Sequence, residues 1–185
     1  VEDFPLGEKL GQCCGGRVSL LFEVFVPDRL PVYLFGAGHV GSAVVAALSR
    51  LDCNIRWVDS RRNVFRHVPA NVRAVETAEP ALEVAAMPAD SYYLVMTHSH
   101  ALDFEICGRV MRRGDARYCG LIGSRSKRRR FEKRYRQQGL PGELIDSLVC
   151  PIGVGGISGK KPAEIAVAVA AEILKIRERR AAVAA

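Results

Sequence analysis

The chain has 185 residues, 49% of them hydrophobic, and a formal net charge of +7, which suits one domain with a small appendage. No stretch approaches the roughly 18 consecutive apolar residues of a membrane span, and no signal pattern opens the chain, so we expect neither a membrane segment nor a secretory signal. Because the first residue is Val1 rather than Met, we expect a piece of a longer protein. The positive charge favours anionic partners such as phosphorylated cofactors, nucleic acid or acidic proteins.

Strand and helix signals alternate along most of the chain. Proline and aspartate at 27–31 predict a boundary, with residues 1–30 as the end of one unit, 31–178 as a second, and 179–185 as a fraying tail. Apolar runs predict strands at 17–26, 32–35, 54–59, 72–76, 92–97, 117–123 and 149–152. Helical spacing predicts a helix from the glycine-rich turn after the strand at 32–35 to about residue 51. It also predicts helices at 81–87, 101–113, 126–138 and 141–148, and one from 162 onward. This alternation is typical of an α/β fold with a doubly wound parallel sheet.

Cysteine usage predicts free thiols. The six cysteines form no CxxC pair and lack the spacings of a zinc site. Cys53, Cys107 and Cys119 lie in apolar runs, where cysteine packs as a small hydrophobic residue. We therefore expect a protein of a reducing compartment, the cytoplasm.

A glycine triplet follows the strand predicted at 32–35. Gly36, Gly38 and Gly41 stand between an apolar strand and a helix, the context in which this spacing binds a nucleotide. Asp59 ends the next strand, where a carboxylate binds the ribose hydroxyls in such folds; the alternative is an aspartate that caps a surface turn. His39 lies within the loop, either over the pyrophosphate site or as a neutral filler. A Rossmann-like sheet with a nucleotide site at its carboxyl edge is therefore predicted.

Two arginines follow Asp59 directly. Arg61 and Arg62 have two interpretations, since they could meet an additional phosphate or simply be solvated.

The loop after the strand at 92–97 carries two histidines and an aspartate. His98, His100 and Asp103 are candidate acid–base or metal-binding groups, although their spacing matches no recognised zinc pattern. The alternative is a polar loop in which Ser99 or His100 caps the next helix. We favour a functional loop because it is predicted to face the glycine loop.

Ser124 and Arg125 follow the strand at 117–123 and open a strongly basic helix. Free amides, a hydroxyl and positive charge together predict an anion site, and helix capping by Ser124 is compatible with it. A nucleic-acid interface on this helix is the weaker interpretation, because it lacks exposed aromatic residues between the cations.

Six stretches carry a resemblance to a known family. They are GQCCGGRV (11–18), VYLFGAGHVG (32–41), WVDSR (57–61), MTHSHALDFEI (96–106), YCGLIGSRSKRRRF (118–131) and CPIGVGGISGKKPAEIAVAVAAEIL (150–174). Together they resemble the xanthine dehydrogenase accessory protein family, the XdhC/CoxI molybdenum cofactor insertion chaperones. The resemblance implies a Rossmann-like C-terminal domain preceded by the end of a smaller N-terminal domain.

The function that this resemblance implies is that of a chaperone rather than an enzyme. Such a protein binds and protects the molybdenum cofactor, supports its sulfuration with a cysteine desulfurase, and inserts it into xanthine dehydrogenase or a related molybdenum hydroxylase. The alternative is an NAD(P)-dependent oxidoreductase or nucleotide-binding regulator, with His98 or His100 as the acid–base group. We expect no nucleic acid or membrane partner, and we expect a homodimer or swapped arrangement through the apolar strand at 17–26.

The resemblance also gives the paired cysteines a candidate role. Molybdenum accepts soft sulfur ligands, so a thiolate of Cys13 or Cys14 could hold the metal or relay sulfur, with Cys14 the preferred metal contact. Gly15 and Gly16 would let the backbone fold around the pterin, and Arg17 could pair with its phosphate. The alternative is that one or both cysteines are structural thiols near a turn.

Overall fold

The structure, a computed structural model, describes residues 1–6, 16–23 and 29–184. Strand β1 (Glu2–Leu6) pairs antiparallel with β2 (Gly16–Leu20) as a separate two-stranded sheet. The first part of the strand predicted at 17–26 is therefore present as β2, which ends at Leu20, while 24–26 lie outside the described residues. Strand β1 was not predicted. Cys13, Cys14 and Gly15, which carry the cysteine hypothesis, lie outside the described residues, as does the predicted break at 27–28.

Six parallel strands form the main sheet, which confirms the predicted α/β Rossmann-like fold. They are β3 (Leu30–Phe35), β4 (Cys53–Asp59), β5 (Val72–Glu76), β6 (Tyr92–Val95), β7 (Tyr118–Leu121) and β8 (Leu148–Val149). Their order in the sheet is β5-β4-β3-β6-β7-β8. The order reverses between β3 and β6, so a crevice opens at the carboxyl ends of these two strands, the position at which such sheets bind ligands.

Five α-helices and one 3-10 helix connect the strands within the described residues. They are α1 (His39–Leu48), the 3-10 helix (Pro80–Ala86), α2 (His100–Arg113), α3 (Arg125–Gln137), α4 (Gly142–Asp146) and α5 (Pro162–Ala184). Strand β8 is shorter than the predicted 149–152, because Pro151 has no N–H to continue the ladder. Helix α5 extends into the residues that the sequence predicted to fray. No helix in the described ranges is long and apolar enough to cross a membrane.

Helices cover both faces of the sheet. Helices α1 and α5 pack against each other on one face, where Leu48 and Ile173 are fully buried. Helices α2 and α3 cover the other face, where Phe104, Phe131 and Tyr135 contact one another. All four residues of β6 are buried, as predicted for a strand covered on both sides.

The predicted state of the buried cysteines is confirmed. Cys53, Cys107 and Cys119 are free and buried, and Cys150 is free and half-buried. Burial raises the pKa of Cys53 to about 11, and also raises the pKa of Cys107, so these two thiols stay protonated and unreactive.

Candidate functional site

Two glycines of the triplet are required by packing. Gly36 has a φ of 115°, and a Cβ there would overlap the carbonyl of Met96 at the end of β6. A Cβ on Gly41 would overlap the carbonyl of Gly36. These contacts hold the loop tightly against both α1 and the start of the loop after β6.

Gly38 is a glycine for another reason. Among the described residues, no atom beyond those of its own chain neighbours lies within 4 Å of the position that its Cβ would take, and its φ of −80° is open to any residue. It is the N-cap of α1 but offers no side chain to the first amides of the helix, and His39 beside it is exposed. The protein's own packing therefore does not demand glycine here, whereas a phosphate that approaches the backbone at a helix N-terminus would.

Asp59 lies beside the glycine loop with its carboxylate almost completely buried, at 3% exposure. Oδ2 accepts the Ala37 N–H at 2.6 Å and the Arg61 Nη2 at 2.9 Å, and Oδ1 accepts the Arg61 backbone N–H at 2.9 Å and Nε at 3.0 Å. Burial alone would raise the pKa of Asp59, but these hydrogen bonds and the Arg61 charge outweigh it and hold the pKa below its usual range. Asp59 thus braces the glycine loop as an ionised group.

The loop after β6 is organised around a buried ion pair. Asp103 is fully buried, and its Oδ2 lies 2.7 Å from the Nζ of Lys127 on α3. Its Oδ1 accepts the Thr97 N–H at 3.0 Å and the Thr97 hydroxyl at 2.7 Å, and Lys127 also donates to the Ile122 carbonyl at 2.8 Å. Asp103 therefore joins the ends of β6 and β7 below the edge of the sheet.

The two histidines of this loop are exposed. His98 precedes Ser99, whose hydroxyl accepts the Leu102 N–H and caps α2, as the structural alternative for this loop predicts. His100 Nδ1 lies 3.2 Å from the guanidinium of Arg130 on α3. No group of three His, Cys, Asp or Glu side chains with metal-binding geometry occurs among residues 1–6, 16–23 and 29–184.

The carboxyl end of β7 opens onto two cavities that share Ile122 and Gly123 in their walls. One, of about 330 Å³, lies against His100, Lys127 and Arg130. The other is larger, about 540 Å³, and its wall includes Arg125, Gly153, Lys160 and the apolar Ile152, Ile157 and Ile165. Ser124 caps α3 by accepting the Lys127 N–H at 3.2 Å, as the sequence allowed, and Arg125 is exposed at the cavity.

Glu172 of α5 holds the loop that forms the far wall of the larger cavity. Its Oε2 accepts the Gly153 N–H at 2.7 Å and the Tyr118 hydroxyl of β7. The Val154 N–H donates to the Ala168 carbonyl at 3.0 Å, so the same loop is also fixed to the backbone of α5. Burial, together with the Glu172 hydrogen bond, raises the pKa of Tyr118 well above its ordinary value. This connection between β7, the glycine-rich loop and α5 was not predicted.

Cys150 adds a thiol beside the two cavities. It is half-buried, its Sγ lies 3.8 Å from the Ser124 carbonyl, and a Cβ on Gly123 would lie 3.4 Å from that sulfur. Burial raises the pKa of the thiol, although Lys127 and Arg128 act in the opposite direction. Cys150 and Glu172 are the residues of this region that sequence reasoning missed.

Helix α3 has a basic outer face. Its thirteen residues contain eight cationic side chains and one carboxylate, a net +7 that equals the formal charge of the whole chain. Arg128 pairs with Glu132, and Arg134 stacks 4.0 Å from the centre of the Phe104 ring. Arg129, Lys133 and Arg136 line a shallow groove on the surface.

The predicted site residues fall into two groups. The glycine loop, His39, Asp59, His98, His100, Asp103, Ser124 and Arg125 all lie at or just below the carboxyl edge of the main sheet. Arg17 lies on the separate hairpin, exposed, 3.8 Å from Asp3, at the end of the segment with the paired cysteines. Gly16 begins β2.

Comparison with known proteins agrees with this architecture. The chain is 29% identical over 174 residues to a protein from Escherichia coli (strain K12) named "Uncharacterized protein YqeB", covering 92% of this chain and 31% of that protein. A solved structure described as a xanthine dehydrogenase from Bacillus halodurans superposes with a TM-score of 0.70 and 25% identity, over 82% of this chain and 44% of that one. This chain therefore spans less than half the length of both. The XdhC Rossmann domain model matches residues 32–173. The chain belongs to the XdhC Rossmann domain family.

Proposed function

We propose that this chain is the dinucleotide-binding part of an accessory chaperone that carries the molybdenum cofactor as cargo. The observation that carries the proposal is the pairing of an open backbone position at Gly38 with a cavity of about 540 Å³ on the same edge of the sheet. Membership of the XdhC family supports an accessory role rather than turnover.

The residues at this edge fit an anionic, ring-containing ligand. Amides at the start of α1 suit the phosphates of a dinucleotide, either NAD(P) or the dinucleotide form of the molybdenum cofactor. Arg125 and Lys160 bring positive charge to the larger cavity, where Ile152 and Ile165 offer apolar contact to a pterin ring.

In the proposed chaperone, the paired cysteines would provide the sulfur chemistry. A thiolate at Cys13 or Cys14 is a soft donor that suits molybdenum, with Cys14 the preferred ligand. A cysteine desulfurase would supply sulfur, and xanthine dehydrogenase or a related molybdenum hydroxylase would receive the cofactor. The basic face of α3 suits an acidic surface on such a partner, and Phe4, Val18 and Leu20, exposed on the hairpin, suit a second copy of the chain. We propose that this takes place in the cytoplasm.

Cofactor retention under anaerobic conditions tests this proposal. The chain and its variants would be loaded with molybdenum cofactor, desalted, and assayed for bound molybdenum by mass spectrometry and for bound pterin by fluorescence. We expect Cys13→Ala/Cys14→Ala to lose most of the metal, and Arg125→Ala to weaken retention, while Arg50→Ala in the exposed turn after α1 retains wild-type binding. Equal retention in the double cysteine variant would overturn the thiolate role, and no retention by any version would overturn the chaperone.

An NAD(P)-dependent oxidoreductase is the second candidate. It is favoured by the strand–glycine loop–helix arrangement and by two exposed histidines, His98 and His100, at the same edge of the sheet. In this case NAD(P)H would be consumed with a small carbonyl compound, and His98→Ala would slow that consumption. Binding of NAD(P)H without consumption would favour the chaperone with a regulatory nucleotide.

A further inference from the structure

The acid that usually recognises a nucleotide ribose is already fully occupied in this protein. Asp59 has 3% exposure, and its carboxylate accepts four N–H donors, one from Ala37 and three from Arg61. An ionised carboxylate offers about four acceptor positions in all. A ribose diol, which needs two of them, would have to displace the Arg61 guanidinium from a buried carboxylate.

The two arginines of this turn offer a different contact. The Arg61 side chain is 40% exposed, and its Nη1 has no partner among the residues that the structure describes. Arg62 is exposed and likewise has no partner there. A guanidinium binds a phosphate with two parallel charged hydrogen bonds, whereas a neutral diol gains little from it.

The local charges include one opposing group, Glu76. It ends β5 beside Asp59, and its carboxylate accepts the Asn63 N–H at 2.9 Å. Because Arg61 neutralises Asp59, the charged groups left in the turn at 60–63 and at the neighbouring end of β5 are Arg62, the outer edge of Arg61, and Glu76. Glu76 should therefore lower the affinity of an added phosphate without removing the preference for it.

We propose that the turn after β4 selects a dinucleotide whose adenosine ribose carries a 2′-phosphate, so that this protein binds NADP(H) rather than NAD(H). The inference rests on the dinucleotide site of the proposed function. In this inference Asp59 supports the glycine loop, and Arg61 and Arg62 bind the 2′-phosphate.

Fluorescence titration of the whole chain with NADPH and with NADH tests the inference. We expect NADPH to bind at least about tenfold more tightly, the effect of one added charged hydrogen-bond pair. Arg62→Ala should lower NADPH affinity and leave NADH affinity unchanged, and Glu76→Gln should raise NADPH affinity alone. Arg50→Ala, which removes the same charge at the opposite edge of the sheet, should change neither.

Arg61 needs a control for folding because it also supports Asp59. Arg61→Lys keeps a positive charge but loses the paired geometry, so it should retain the thermal midpoint better than Arg61→Ala while losing much of the NADPH preference. Competition by adenosine 2′,5′-bisphosphate, but not by adenosine 5′-monophosphate, would trace the preference to the 2′-phosphate.

The outcomes separate this inference from the function beneath it. Binding of NADH as tightly as NADPH overturns the inference and leaves a dinucleotide site. If the chain binds neither NADPH nor NADH but still retains the molybdenum cofactor, the inference and the oxidoreductase candidate are overturned and the chaperone function stands. If the chain binds neither NADPH nor NADH and retains no molybdenum cofactor, both the inference and the proposed chaperone function are overturned.

Discussion

Asp103 and Lys127 form an ion pair, 2.7 Å between Oδ2 and Nζ, in which the carboxylate is fully buried and the lysine side chain is 8% exposed. The pair joins the first turn of α2 to the first turn of α3. Thr97 completes the hydrogen bonds of the carboxylate, and the Ile122 carbonyl accepts a further bond from the ammonium. The edge of the sheet that carries the candidate site therefore depends on this buried pair.

We expect removal of one partner to destabilise the protein strongly. Asp103→Ala leaves the Lys127 charge buried and uncompensated, a loss of about 3–5 kcal/mol in the free energy of unfolding. Urea unfolding followed by circular dichroism would measure it. Asp103→Leu/Lys127→Met removes both charges and should recover much of the loss.

An exposed ion pair provides the matched control for this prediction. Glu105→Gln breaks the surface pair with Arg109, in which both side chains are about half exposed, and should cost less than about 1 kcal/mol. If Asp103→Ala cost no more than Glu105→Gln, the buried pair would not be the support that its geometry indicates.

Substitutions in the glycine triplet should affect stability and dinucleotide binding separately. Gly41→Ala places a methyl group against the Gly36 carbonyl and should destabilise the fold by about 1–3 kcal/mol or more. The methyl group of Gly38→Ala meets no atom of the described residues beyond its chain neighbours, so we expect the stability of this variant to stay within about 0.5 kcal/mol of wild type while dinucleotide affinity falls. Thermal unfolding and nucleotide titration of the two variants would measure both effects, and unchanged affinity in Gly38→Ala would place the phosphates elsewhere.

Protonation of Asp59 should lower the free energy of unfolding at acid pH. Its pKa in the folded protein is lower than the value of about 3.9 in an unfolded chain, so ionised Asp59 stabilises the fold above about pH 4, and this contribution is lost as the pH falls through the folded pKa. Asp59→Asn should therefore be less stable than wild type at pH 7, and the gap should narrow toward pH 3. Urea unfolding at several pH values would measure the gap; a constant gap would exclude titration of Asp59 as its source.

The sequence predicted the main sheet because its signals are local. The apolar run of β6 and the glycine triplet after β3 each indicate their structure within about ten residues. Strand β1 was missed because its pairing with β2 depends on partners ten to eighteen residues away. The short β8 was overestimated because an apolar run does not show where the ladder of hydrogen bonds stops.

The sequence predicted which residues lie at the site but not which side chains pair with one another there. The sequence placed Asp59 and Asp103 at strand ends, yet their actual partners depend on tertiary contacts. Asp59 accepts hydrogen bonds from both the Ala37 amide and Arg61, and Lys127 reaches Asp103 across 24 residues of chain. Periodicity cannot show which of eight cations on α3 turns inward.

Glu172 should control the order of the loop that walls the larger cavity. Its carboxylate accepts hydrogen bonds from the Gly153 N–H and the Tyr118 hydroxyl, and Glu172→Gln would turn one acceptor into a donor that faces them. We expect a loss of about 1–3 kcal/mol in unfolding free energy and faster hydrogen exchange at the Gly153 and Val154 amides. Tyr118→Phe removes the hydroxyl contact alone, so it should leave exchange at Gly153 close to wild type.

The exposed Glu178 on the same helix is the control for this change. Glu178→Gln removes a similar charge from α5, where its exposed carboxylate pairs with Arg177 at the surface, and should shift stability by less than about 0.5 kcal/mol. Mass spectrometry of exchanged peptides that span residues 150–160 would measure the loop directly. Equal exchange in the two variants would mean that the Val154 bond to Ala168, rather than Glu172, holds the loop against α5.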